Sequence, residues 1–198
     1  MITGMVKKHL VLTGLWLLFV SSVAIAQSSS EHYGFTFLSS PDQCEKIMMK
    51  RYGVSSTLTT VEEPFTRVGI PGFLFSAPFE GHNASNTLSF TPHSKKLYEI
   101  SHVVTVGSKD DCLRTYAFFV QALNNKYGVT KPNKSNAETE ANFISQTWKS
   151  KGIEISLVAL YNFSDAPNAV TITYTNKAAE IIKKKEQAVI SGHINKDI

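Results

Sequence analysis

The sequence predicts an α+β fold: an antiparallel sheet with helices on one face, arranged as two tandem helix–three-strand modules and a closing helix. Three observations predict it. Two capped helix starts share the pattern S-x-D-x-C-x-(K/R), at Ser40–Lys46 and again 68 residues later at Ser108–Arg114. Each is followed by runs in which apolar and polar residues alternate, the period of a half-buried strand. Short turns join those runs, and short turns connect antiparallel neighbours.

The chain has 198 residues, 42% hydrophobic and 11% aromatic, enough apolar material for a packed core. Its first 26 residues read as a secretory leader. Lys7 and Lys8 form a basic start, residues 10–20 an apolar run, and Ala24-Ile25-Ala26 a small-x-small cleavage site. Thr13, Gly14, Ser21 and Ser22 interrupt the apolar stretch that a membrane anchor would need. Loss of the leader takes Lys+Arg from 20 to 18 against Asp+Glu 16, so the net charge falls from +4 to +2. Nothing in that balance calls for a nucleic-acid partner. The expected location is periplasmic or extracellular.

The first module spans residues 27–107. Its helix opens at Ser40, with Pro41 in the first turn and Asp42 near the positive helix end. It stops at Arg51-Tyr52-Gly53. Strands are expected at 56–61, 67–75, 86–91 and 97–106. In the last of these Tyr98, Ile100, His102, Val104 and Val106 share one face, and Glu99, Ser101 and Thr105 the other. The second module spans 108–176. Its helix opens at Ser108, carries the apolar stripe Cys112, Tyr116, Phe119, Val120, Leu123 and Tyr127, and stops at Lys126-Tyr127-Gly128. A polar loop is expected at 130–141, then strands at 144–149, 153–161 and 169–175, the first two joined as a hairpin at Ser150-Lys151-Gly152. A Lys-rich helix and tail, 177–198, close the chain. Whether the shared pattern is a true repeat or a coincidence of two capped helices is open at this level, since such caps occur in any helix.

The two cysteines, Cys44 and Cys112, sit at matching positions. Export would place them in an oxidising compartment, and a disulfide between them is expected if the two helix starts are neighbours.

One segment set adds a resemblance. Tyr33-Gly34-Phe35-Thr36-Phe37 ahead of Ser40-Pro41-Asp42, Lys96-Leu97-Tyr98-Glu99-Ile100, Lys126-Tyr127-Gly128-Val129, Thr147-Trp148, Ile153-Glu154-Ile155 and Thr173-Tyr174 together resemble small exported bacterial proteins of unassigned function. The resemblance implies an envelope location and an α/β sandwich, and it implies no reaction. Leu38-Ser39 stands where those proteins carry a glycine before the capping serine, and the paired cysteines are not part of their pattern.

Catalytic signatures are scarce. The sequence has no G-x-S-x-G elbow, H-E-x-x-H helix motif, phosphate loop or dinucleotide glycine pattern. A thiol role for Cys44 or Cys112 competes with a structural one. His82, His93 and His102 fall close in sequence without the usual ligand spacing, and His102 lies on an apolar strand face, so no metal site and no cofactor are assigned. Two segments are candidate contact surfaces. Residues 69–79 are apolar, aromatic and broken by Pro and Gly. They read as a core strand or as an exposed loop presenting Ile70, Phe73, Phe75 and Phe79 to a partner. Lys183, Lys184 and Lys185 read as a solvated helix face or a weak contact with anions or a membrane surface. The expected function is an exported, non-enzymatic binding, adaptor or inhibitor-like module for a protein or peptide. The alternative is a thiol-dependent or metal-assisted envelope enzyme.

Overall fold

Side-chain alternation and turn chemistry build a seven-stranded antiparallel sheet, a separate two-stranded hairpin and three helices packed against the sheet. The computed structural model describes residues 31–62, 69–131, 142–162 and 166–194. The leader, residues 1–26, and most of the 130–141 loop lie outside the described residues, as do 67–68 and the tail beyond 194.

Contacts divide the chain into two units, with the boundary after Thr36. In the first, β1 (Glu31–His32) and β2 (Phe35–Thr36) form a hairpin in which Glu31 pairs with Thr36 and His32 with Phe35.

The second unit begins with α1 (Pro41–Tyr52). Ser40 and Gln43 form a reciprocal capping box, each side chain meeting the other's backbone N–H. Four strands follow: β3 (Thr59–Glu62), β4 (Gly69–Phe79), β5 (His82–Phe90) and β6 (Leu97–Val106). Then come α2 (Lys109–Tyr127), capped by Ser108, and β7 (Phe143–Ser150), β8 (Ile153–Leu160) and β9 (Asn168–Asn176). The chain runs directly into α3 (Lys177–Ile194), whose first turn is capped by Asn176 accepting from the Ala179 N–H at 2.9 Å.

The strand order is β3-β4-β5-β6-β9-β8-β7. α1 and α2 are each followed by strands that run inward from one sheet edge, and the last strands of the two sets, β6 and β9, pair at the centre. The order is symmetric about that seam apart from the extra strand β3.

Two tight hairpins fix the register. Glu80-Gly81 joins β4 to β5 with φ of 47° and 82°, and Lys151-Gly152 joins β7 to β8 with φ of 46° and 79°. Two successive residues at positive φ define the turn whose twist matches that of paired strands, which is why glycine stands second in both. The Lys151-Gly152 hairpin is the one expected from sequence. The β4–β5 hairpin makes both strands longer than expected: β4 runs through Pro71 and Pro78 to Phe79.

The register sorts side chains onto two faces. The core face carries Phe73, Phe75 and Phe79 of β4, Leu88 of β5, Ile100 and Val104 of β6, Ile172 and Tyr174 of β9, Ile155 and Leu157 of β8, and Trp148 of β7, all buried. α2 lies across this face. Phe119 meets Phe79 with ring centroids 5.5 Å apart, and the Trp148 Nε1–H donates to Asn124 Oδ1 at 3.0 Å.

The same topology separates the cysteines. Leu38 N–H donates to the Leu97 carbonyl and Leu97 N–H to the Ser39 carbonyl, both at 2.9 Å, so the start of α1 is tied to the beginning of β6. α2 begins just past Val106, at the other end of that strand. Ten residues of strand separate the two starts by about 30 Å. A disulfide needs Cα atoms about 4.4–6.8 Å apart, so the expected Cys44–Cys112 bond is not formed and both thiols are free and buried.

Candidate functional site

The opposite sheet face is built from small, uncharged side chains. One row across six strands reads Leu74, Thr87, Ser101, Thr173, Ser156, Thr147. The next reads Ser76, Ser85, Val103, Thr171, Val158, Ser145. A third brings Thr105, Ala169, Leu160 and Phe143 into line beside the pair Pro78–Asn83. All but Ala169 are exposed or half-buried, and none carries a charge. The charged side chains of this face, Glu99, Glu154 and Lys149, stand at one end, where Lys177 bridges to Glu154 at 3.2 Å. β-Branched residues favour the pleat, which accounts for the threonines and valines in neighbouring positions. Ser101 and Thr173 link their hydroxyls across the central seam at 3.2 Å.

A shallow hollow of about 400 Å³ opens in this face over β4, β5 and β6, lined by Ser76, Pro78, Asn83, Ser85, Val103 and Thr105 among others. Its groups are hydroxyls, an amide and aliphatic carbons, so it offers hydrogen bonds and apolar contact and no acid, base or nucleophile of shifted reactivity. A larger hollow, about 640 Å³, lies against Asp42, Glu45, Lys46, Met49 and Lys50, side chains along one face of α1 alone.

The sequence-derived candidates fall elsewhere. Ile70, Phe73, Phe75 and Phe79 are buried in β4, between 2% and 7% exposed. They build the core and do not present an aromatic loop; Leu74 of that strand is 55% exposed, on the opposite face. Cys44 is fully enclosed, and burial pushes its thiol up to about 12. Burial also raises Cys112, whose thiol donates to the Leu160 carbonyl at 3.4 Å and to that of Ala169 at 3.5 Å. Both shifts oppose thiolate formation, the state that thiol chemistry requires.

The three neighbouring histidines are held by different partners. His102 lies in the core, its ring stacked on Phe79 at 3.9 Å and its Nδ1 2.6 Å from Asn86 Oδ1. Asn86 Nδ2 faces the Ala77, Ala84 and Phe75 carbonyls at 3.1, 3.2 and 3.4 Å. The amide oxygen therefore points at the imidazole, and Nδ1–H is the donor. His82 packs on Phe118 and Phe119. The His93 N–H donates to Glu186. Among the described residues no three His, Cys, Asp or Glu side chains form a ligand cluster.

The three lysines of α3 likewise part company, since successive helical residues turn by about 100°. Lys183 Nζ sits 4.9 Å from the Tyr98 ring centroid, Lys184 bridges to Glu180 at 2.9 Å, and Lys185 is exposed. The uncharged rows were missed from sequence. Their alternation is legible strand by strand, but only the strand order aligns them.

Comparison with family models, curated proteins and solved structures returns no match.

Proposed function

We propose that this chain is an exported binding or adaptor module, without catalytic activity of its own, that engages a protein or peptide partner through the uncharged sheet face. The observation that carries the reading is the alignment of Ser, Thr, Val and Leu side chains in rows across six strands with no charge among them. The centres of protein interfaces are depleted in charge and close-packed, with charged groups at the rim. A flat face of this kind accepts a partner with little side-chain ordering, because Ser, Thr and Val lose few rotamers on burial. The leader-like residues 1–26 and the resemblance to exported bacterial proteins support an envelope location. Cys44 and Cys112, both buried and shifted upward, weigh against the thiol-enzyme alternative.

Lysine at Val103 or Thr171, neighbours at the centre of the face, tests the proposal. Both positions are half-buried and open to solvent, so the fold tolerates the change while the partner is lost. Binding that survives both substitutions refutes the assignment of this face.

A further inference from the structure

α3 is amphipathic the wrong way round for a helix that only packs on its own protein. Its inward stripe is Ala179, Lys183 and Glu186. Ala179 is buried against Ile70 and Tyr98, Lys183 lies over the Tyr98 ring, and Glu186 accepts the His93 N–H at 2.7 Å and the Ser94 N–H at 3.2 Å. Its large aliphatic residues are exposed instead: Ile190, in line with the inward stripe, is 46% exposed, and on the outer side Ile181 is 55%, Ile182 36% and Val189 59%. At 100° per residue the last three and Lys185 fall within one stripe, with Lys185 inside it.

We propose that the outer face of α3 rests on an anionic lipid surface, with Ile181, Ile182 and Val189 entering the headgroup–acyl boundary and Lys185 among the headgroups. The charge pattern selects this occupant over a second copy of the chain. Two such helices laid antiparallel on this stripe would bring Lys185 against Lys185 between aliphatic side chains. The helix's acidic groups supply no counter-charge there, because Glu180 is engaged by Lys177 and Lys184 at 2.8 and 2.9 Å and Glu186 by the β5–β6 loop. A lipid surface takes the ammonium group at the headgroup level while its stem lies along the apolar layer. Among the described residues no helix is long and apolar enough to cross a membrane, so this contact lies on the surface. It is independent of the sheet-face proposal.

Vesicle co-sedimentation of the full chain tests it, with vesicles of phosphatidylglycerol mixed into phosphatidylcholine set against phosphatidylcholine alone. The parent is compared with Lys185→Glu and with the double variant Ile181→Ser, Val189→Ser. Residues 1–26 are common to all three proteins, so the differences between them read α3. The expected result is a loss of at least about tenfold in partition to anionic vesicles for either variant, with the Lys185→Glu loss shrinking at high salt and thermal melting unchanged. Variants that partition like the parent overturn the proposal. So does a purified protein that dimerises through this face, a state that the neutral Lys185→Ala would strengthen.

Discussion

Replacing Asn86 with alanine removes the polar pin that joins β4, β5 and β6 inside the core. Asn86 is 3% exposed and His102 4%. The substitution leaves the His102 Nδ1–H without its 2.6 Å acceptor and takes away the donors shared by the Ala77, Ala84 and Phe75 carbonyls. A buried donor left unsatisfied costs about 1–3 kcal/mol, and the lost amide donors about 1 kcal/mol more. The expected loss is about 3 kcal/mol, equal to a fall in Tm of roughly 6–12 °C for a domain of this size. Urea unfolding followed by tryptophan fluorescence measures it, with the slope against denaturant unchanged. Asn86→Asp is the companion variant. It keeps an acceptor for His102 but sets carboxylate oxygens against three carbonyl oxygens, so it is expected to destabilise more than alanine at neutral pH. That excess shrinks as acid protonates the carboxyl. A loss below about 1 kcal/mol for Asn86→Ala would show that the network does not contribute as its geometry implies, and would refute the tautomer assigned to His102.

Thiol titration of the native protein should find Cys44 and Cys112 unreactive at neutral pH and both reactive after unfolding without reductant; a bonded pair contradicts the separation of the two helix starts, and rapid native reaction contradicts the burial of the thiols. Glu186 is held below the ordinary carboxyl value of 4.5: burial opposes the shift, and the Ser94 and His93 donors outweigh it. A depressed folded-state value means the contribution is present above about pH 4.5 and is lost as pH falls through the lower folded value. The His93 and Ser94 amide resonances should therefore shift on acidification, and Glu186→Gln should abolish that shift; an unaltered titration rules out the contact. Mass spectrometry of the exported protein should find a chain beginning at Gln27, and an intact leader on exported protein sinks the expected processing.

Much of the fold is written locally. Ser40, Gly53, Ser108 and Gly128 mark helix ends because capping chemistry acts within one turn. The alternation of Ile153, Ile155 and Leu157 with Glu154 and Ser156 marks a half-buried strand on its own. β4 is less legible, because Pro71 and Pro78 are signals of strand ends, yet the strand carries both and buries its phenylalanines. The cysteine geometry is not local at all. Two identical helix starts give no sign that one is tied to Leu97 and the other follows Val106. The candidate face has the same character: Thr171 and Val103 meet only because β9 pairs with β6 at the seam rather than with an edge strand. α3 lies between these cases. A helical projection separates Lys183, Lys184 and Lys185, but which side packs inward depends on Tyr98 and the His93–Ser94 loop.

Photo-crosslinking in the cells that make the protein shows whether the uncharged face meets a partner. A photoreactive side chain is placed at Thr171 in the middle of the uncharged face, and for comparison at Glu45 on α1, which is half-buried like Thr171. A single discrete adduct is expected from Thr171, absent from Glu45 and lost when Val103 becomes lysine. Equal adducts from both positions, or an adduct that the lysine leaves untouched, would contradict the proposed use of this face.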